Sequence, residues 1–132
     1  MARLKSLPAV LAVLAVLVVP GPSVHGQTPR TGRVMRTKLA HTQRILEALM
    51  TSDYAMLERE SVALSRVTET PEWAELKTAE LKAFTDNFLR ATHDLAEAAR
   101  QRDLDAAAVR YGALTMACYR CHQYRKGARI AR

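Results

Sequence analysis

Residues 81–99, LKAFTDNFLRATHDLAEAA, decide the fold of this chain. Apolar side chains recur in this segment at spacings of three and four residues, which keeps them on one face of an α-helix. That face consists of Leu81, Phe84, Phe88, Leu95 and Ala99, with Ala91 and Thr92 completing its middle. The pattern therefore predicts an amphipathic helix that buries one face in a core.

Two segments that precede it repeat the same period. A first helix is predicted over residues 34–51, behind a loose polar arm at 27–32, and a second helix over 54–67. The buried face of the first helix is predicted to be Met35, Leu39, Thr42, Leu46 and Leu49. Both helices are expected to contribute to one common core.

The remaining segments complete a helical chain. The third helical region is predicted to begin at Pro71, with an interruption near Thr78, and Asp103 is predicted to cap a fourth helix. Only 5% of the residues are aromatic, while Ala, Leu and Arg dominate, which argues against a β-sandwich or barrel. Short linkers favour antiparallel neighbours, so we predict an all-α, up-down-up-down four-helix bundle, with a three-helix arrangement as the alternative.

The first 26 residues have the order of a secretory signal peptide. A basic start, Met1–Lys5, precedes an apolar run and the helix-breaking Pro20–Pro22, and a cleavage site is predicted before Gln27. The uninterrupted apolar run Ala9–Val19 would span only ~16 Å as a helix, too short to cross a bilayer. We therefore expect a periplasmic protein of one domain, 27–132, without stable membrane insertion. Cleavage lowers the formal net charge of +7 by two, because Arg3 and Lys5 are lost.

The sharpest motif is Cys118-Tyr119-Arg120-Cys121-His122. Positions three and four apart share a helix face, so both sulfurs and the imidazole are predicted to point to one side. Two thiols at this spacing can form thioether bonds to the two vinyl groups of one haem, and the adjacent imidazole can bind the iron. The motif therefore predicts a single haem c, held covalently by Cys118 and Cys121 with His122 as an axial ligand.

Other uses of the two cysteines fit less well. A disulfide between them would distort the helix and constrain almost nothing. A thioredoxin-like pair sits at a helix N-terminus after a strand, and no strand pattern precedes Cys118. A structural zinc site needs four ligands, and only Cys118, Cys121 and His122 cluster in the sequence. Haem attachment is the favoured interpretation.

The bundle topology also predicts a sixth iron ligand. The fourth helix runs antiparallel to the first, so His122 is expected beside the start of the first helix, where Met35 lies. His41 is about 120° around that helix and ~9 Å further along, and Met35 is preferred to it. The other candidates are remote or lie on the attachment helix: Met50, Met56, His93 and Met116. The alternative is that Met35 lines an open distal pocket without binding iron.

Several further residues are expected near the haem. The second helix ends and the third begins at the same end of the bundle as His122, which predicts apolar walls there. Arginine and lysine side chains nearby could pair with the haem propionates. The candidates are Val67, Trp73 and Leu76 for the walls, Leu39 on the first helix, and Arg33, Arg36 and Lys126 for the propionates.

A CxxCH motif near the C-terminus of a four-helix chain resembles the cytochrome c′ family, the class II c-type cytochromes. Residues Phe84-Thr85-Asp86-Asn87, Asp103-Leu104-Asp105, Pro71-Glu72-Trp73 and Met35-Arg36 also resemble segments of that family. The resemblance implies a low-spin member with an axial methionine at Met35 and an arginine near a propionate. It departs from the family after the haem histidine, where Tyr124 and Arg125 stand one residue early and Lys126 takes the basic position.

These observations predict an electron-transfer cytochrome with His122 and Met35 as axial ligands. Its basic surface would favour acidic redox partners, and a homodimer is compatible with the sequence. One alternative is a five-coordinate haem protein that binds or scavenges small gases such as nitric oxide, and another is a helical adaptor without haem. We expect no enzymatic turnover, because no nucleophile–base or carboxylate pair is placed at the haem end. Nucleic-acid binding is not expected of an exported chain with dispersed basic residues.

Overall fold

The computed structural model describes the backbone of residues 29–130 and the side chains as far as Ala128. The predicted leader, its cleavage site and Gln27 lie outside the described residues. The long helices are α1 (Pro29–Thr51), α2 (Tyr54–Arg66), α3 (Ala79–Arg100) and α4 (Leu104–Ile130). Two short 3-10 helices, Val67–Glu69 and Pro71–Leu76, connect α2 to α3.

The α1–α2 and α3–α4 connections share one design. In each, a residue in the left-handed backbone region ends the first helix, at Ser52 (φ 55°) and Arg102 (φ 56°). An aspartate follows and accepts a hydrogen bond from a backbone N–H of the next helix, Asp53 at 2.9 Å and Asp103 at 2.8 Å. Because such tight turns reverse the chain within three residues, each pair of helices packs antiparallel.

The α2–α3 connection closes the opposite end of the bundle. Pro71 occupies the first turn of its 3-10 helix, where its missing N–H costs no hydrogen bond. Thr78 has extended backbone (φ −110°, ψ 159°) and separates this 3-10 helix from α3. The interruption predicted near Thr78 is therefore confirmed. The connection brings Trp73 and Leu76 beside the start of α1, and both side chains are buried there.

The four helices pack antiparallel in consecutive order, α1 on α2, α2 on α3 and α3 on α4, whereas α1 and α4 touch more sparsely. One apolar cluster runs along the middle of the bundle and includes Ile45, Leu57, Leu95 and Leu114. A second, smaller cluster at the end closed by the α2–α3 connection contains Val34, Val67, Trp73, Leu76 and Leu81. The all-α, four-helix prediction is confirmed. Within residues 29–130 no helix is long and apolar enough to cross a membrane.

The structure corrects two predictions for α1. The helix begins at Pro29 rather than near residue 34, so the predicted polar arm is helical from that point onward. The predicted stripe is also displaced, because Leu39 is 57% and Leu46 42% exposed. The buried residues are Thr31, Val34, Ile45, Ala48 and Leu49. The face with Leu39 and Leu46 is left to solvent because α1 packs chiefly against α2 and the α2–α3 connection.

Candidate functional site

Cys118, Cys121 and His122 of α4 all line one cavity of about 300 Å³ near the C-terminal end of the bundle. Both cysteines are partly buried free thiols. The i, i+3, i+4 spacing of a helix places the three side chains on one side of α4, as the motif predicts. Cavities of about 300–1,000 Å³ are typical of small-molecule and cofactor sites.

The floor of the cavity is aromatic and apolar. Trp73 and Phe88 are 4% and 3% exposed, and their ring centroids lie 6.3 Å apart in a stacked arrangement. Phe84 contacts Tyr124 of α4 with ring centroids 5.1 Å apart. Leu76 and Leu81 complete the lining on the same side. The cavity therefore offers a dry, ring-lined surface beside the two thiols.

The Trp73 side chain carries an unsatisfied donor. Its Nε1 is the one fully buried side-chain nitrogen or oxygen without a hydrogen-bond partner in the part of the chain that the structure describes. A buried N–H without a partner costs about 1–3 kcal/mol, so native proteins rarely leave one unpaired. Trp73 lines the cavity with other atoms of its side chain, whereas the Nε1 atom itself is shielded from the cavity.

Lys38 of α1 also lines the cavity, which the sequence did not lead us to expect. Its Nζ lies 3.6 Å from the centroid of the Phe88 ring and 4.8 Å from that of Trp73, both within cation–π distance. Burial lowers the pKa of Lys38, and the nearby thiols of Cys118 and Cys121 partly oppose that effect. Among the lining residues that the structure describes there is no aspartate or glutamate.

Partial desolvation shifts the pKa values of Cys121 and His122. Desolvation raises the pKa of the Cys121 thiol, although Lys38 and Arg125 pull in the opposite direction. Desolvation, reinforced by the charge of Lys38, lowers the pKa of His122. At neutral pH the imidazole is therefore uncharged, which is the form that binds a metal.

The residues predicted for the site divide into two groups. Met35, Trp73, Leu76 and Lys126 line the cavity, and Val67 packs behind it in the cluster that includes Trp73. Leu39 lies outside the lining and is exposed, which corrects its predicted contact with the site. Arg33 and Arg36 are exposed and also lie outside it.

His41 points to a different polar cluster. Its Nδ1 lies 2.8 Å from a carboxylate oxygen of Glu60, and the same oxygen accepts a 2.8 Å hydrogen bond from Nε of Arg44. The Nε of Arg59 donates to the other oxygen at 3.4 Å. The hydrogen bond from Arg44 and that involving His41 outweigh burial and hold the pKa of Glu60 at about 2. This cluster joins α1 to α2 and does not reach the cavity.

Besides Lys38, the sequence analysis did not assign Phe84, Phe88, Arg125 or Leu81 to the site. Phe84, Phe88 and Leu81 were recognised only as members of the apolar stripe of α3. In a bundle of this order α3 packs on α4 beside the motif. The sequence could therefore have indicated that these three α3 residues lie near the site. The sequence signal for Lys38 was weaker: it is a basic residue in a helix stripe whose other side chains are mostly small or apolar.

The donor set suits a covalently bound haem better than a bare metal ion. Within residues 29–128 no group of three or more His, Cys, Asp or Glu side chains is close enough to share one ion. The motif instead offers two separate thiols and one neutral imidazole along a cavity floored by aromatic rings. The basic Arg125 and Lys126 also line the cavity and are available for carboxylates.

Comparison with known proteins gives no match: no family model, no curated protein and no solved structure is similar to this chain. The functional argument therefore rests on the residues of the cavity.

Proposed function

We propose that this protein is an exported, monohaem c-type cytochrome that carries single electrons between redox partners. The observation that carries the proposal is the joint exposure of Cys118, Cys121 and His122 to one aromatic-floored cavity. The position of this motif near the end of the last helix of a four-helix bundle supports the resemblance to the cytochrome c′ family. A signal peptide at residues 1–26 would deliver the chain to the periplasm, where c-type haem proteins are suited to work.

Attachment needs no reagent beyond the thiols and the haem vinyl groups. Each thiol adds across one vinyl double bond, its sulfur bonding to one carbon and its hydrogen to the other. Cys118 and Cys121 lie one helical turn apart, so each serves a different vinyl group. The raised pKa of Cys121 favours its protonated thiol, the form that carries the hydrogen for this addition.

His122 is the axial ligand that α4 provides. Its lowered pKa leaves the imidazole neutral and able to donate a nitrogen lone pair. The bound haem supplies an iron that gains and loses one electron. Trp73, Phe88 and Leu81 would provide apolar surroundings for the bound haem, which would influence its reduction potential.

A second ligand to the haem iron would come from α1. Met35 is the ligand that the sequence predicts, and a His/Met pair favours a higher reduction potential than harder ligands do. Lys38 offers a second donor from the same helix, and both side chains line the cavity. The five-coordinate alternative, a gas-binding protein, requires neither side chain to bind the iron.

The partners that fit are proteins with acidic docking surfaces. Arg125 and Lys126 lie at the cavity on α4 and add to the formal net charge of +7 of the whole chain. Electrostatic attraction of this kind speeds encounter and weakens with added salt.

The proposal is tested by expressing the full chain together with a periplasmic haem-attachment machinery. The wild type is expected to retain haem through denaturing electrophoresis, detected by in-gel peroxidase staining. Replacing both cysteines, Cys118→Ala with Cys121→Ala, is expected to abolish the stain. A wild-type band without haem would contradict the proposal and favour the haem-free adaptor.

The histidines provide a matched pair of variants. His122→Ala is expected to retain thioether-bound haem but lose the spectrum of an imidazole-ligated iron. His93→Ala changes a side chain that is 73% exposed on α3 and outside the cavity, and its spectrum is expected to match the wild type. Equal effects of the two substitutions would exclude His122 as the axial ligand.

A further inference from the structure

Two α1 side chains that line the cavity carry an atom able to bind iron. They are Met35, through its thioether sulfur, and Lys38, through its amine. They lie three residues apart, about 4.5 Å along the helix axis. Long helical side chains lean toward the helix N-terminus, and the lysine amine is two bonds further from its backbone than the methionine sulfur. The longer side chain of Lys38 can therefore bring its amine to about the same height along α1 as the Met35 sulfur.

The two side chains have different neighbours. Met35 packs against the apolar end cluster that contains Val34 and Trp73. Met35 is an apolar side chain, so this packing leaves no polar group of Met35 without a partner. The amine of Lys38 makes no ion pair or hydrogen bond within the described residues and rests on the faces of Phe88 and Trp73. The two aromatic faces compensate only part of the hydration that a partly buried amine has lost, and among the described residues no hydrogen-bond acceptor or carboxylate completes the compensation.

The amine also lies within electrostatic reach of the whole attachment motif. Lys38 influences the pKa of His122, and the thiolate forms of Cys118 and Cys121 would influence the pKa of Lys38. Lys38 of α1 and these three residues of α4 line the same cavity.

We infer that the Lys38 amine, rather than the Met35 sulfur, is the second axial ligand of the haem iron. This inference rests on the proposed haem attachment and names the ligand set of that same site. The uncharged amine donates its nitrogen lone pair, and the bond gives the buried group the partner that it lacks. Burial at this position favours the uncharged amine. Met35 then remains a core residue beside the iron.

A propionate partner would be the competing role for Lys38. Arg125 and Lys126 line the same cavity from α4 and can serve the propionates instead. Lys38→Arg separates the two roles, because arginine keeps the positive charge but does not lose a proton to bind iron. Lys38→Met adds a second test, since it places a sulfur donor where the amine was.

The experiment records optical and electron paramagnetic resonance spectra of the ferric, haem-loaded full chain. The wild type is expected to be six-coordinate and low-spin, without the weak near-red band of methionine-bound ferric haem. Lys38→Arg is expected to lose most of the low-spin signal, and Lys38→Met to gain the methionine band. Met35→Leu is expected to leave the low-spin spectrum unchanged, as is the control Lys82→Arg, which alters an exposed lysine outside the cavity lining.

Several results would overturn the inference. A methionine band or a high-spin spectrum in the wild type would exclude Lys38 as the ligand, as would a low-spin spectrum retained by Lys38→Arg. Circular dichroism and the Lys38→Met spectrum guard against a variant that merely unfolds. Failure of the proposed function itself is recognised separately, because the wild type would then carry no covalent haem. Covalent haem with an unaltered Lys38→Arg spectrum would overturn the ligand assignment alone.

Discussion

Glu60 and Lys38 are two ionisable side chains that lie among the buried faces of the helices. Glu60 has polar partners from the protein, whereas Lys38 has none within the described residues. Glu60 of α2 is 7% exposed and is surrounded by cationic or hydrogen-bonding partners from His41, Arg44 and Arg59. Lys38 of α1 lies over two aromatic rings in a cavity whose described lining has no carboxylate. The first charge is compensated by the protein itself, and the second is not.

This difference separates a charged group with a structural role from one with a functional role. Buried ionic groups are tolerated when partners on the same chain replace the lost hydration. The Glu60 cluster meets this condition, and its role in linking α1 to α2 is sufficient to explain it. Lys38 does not meet it, which points to a partner from outside the chain. Variants of the two residues should therefore have opposite effects on the stability of the haem-free protein.

The largest effect is expected from Glu60→Ala. It removes the acceptor shared by His41 and Arg44, and hydrogen bonds to charged groups contribute about 1.5–3 kcal/mol each. We expect the free energy of unfolding at neutral pH to fall by about 2 kcal/mol, measured by urea denaturation. Glu58→Ala is the control, because Glu58 pairs with the partly exposed Arg100 and should cost less than about 1 kcal/mol. Equal losses would contradict the structural role of the cluster.

The acid sensitivity of the protein should come largely from the same residue. The pKa of Glu60 falls from 4.5 to about 2 on folding, so its carboxylate stabilises the fold above pH 4.5. That contribution is lost progressively as the pH falls toward 2, and its size is on the order of 2 kcal/mol. Urea denaturation as a function of pH should show this slope in the wild type. A Glu60→Gln variant with the same slope would refute the assignment.

The smallest effect, and one of opposite sign, is expected from Lys38→Met. The substitution replaces an unpartnered amine by an apolar side chain over Phe88 and Trp73, so the haem-free chain should become more stable by about 1 kcal/mol. Lys82→Met serves as control, because Lys82 is exposed and paired with Asp86, and it should change stability by less than about 0.5 kcal/mol. A clear loss of stability in Lys38→Met would show that the amine is already compensated.

The helices were predictable because their local signals agree. Asp53, Thr78 and Asp103 mark helix starts, and the apolar stripe of α3 is buried largely as its period indicates. The face of α1 was not predictable by the same means. Its true stripe has the same spacing as the predicted one, displaced by about one residue, and Lys38 and His41 interrupt it with polar side chains. Hydrophobic periodicity therefore favoured the side that includes Leu39.

The sequence predicted the part of the site that lies on a single helix, α4. Cys118, Cys121 and His122 share a face by spacing alone, and the antiparallel topology correctly brought Met35 and Trp73 to the same cavity. The approach of Lys38 to Phe88 depends on how far α1 is rotated against α3, which no local pattern records. The surroundings of a residue that breaks the hydrophobic period of a helix can therefore be determined only from the tertiary structure.

The central claim, that the CxxCH motif holds one haem, is tested most directly by the mass of the intact protein after expression with a haem-attachment machinery. We predict that the denatured wild type is heavier than its polypeptide by the mass of one haem. The Cys118→Ala, Cys121→Ala double variant should have the mass of the polypeptide alone. A wild-type mass equal to that of the polypeptide alone would contradict the account.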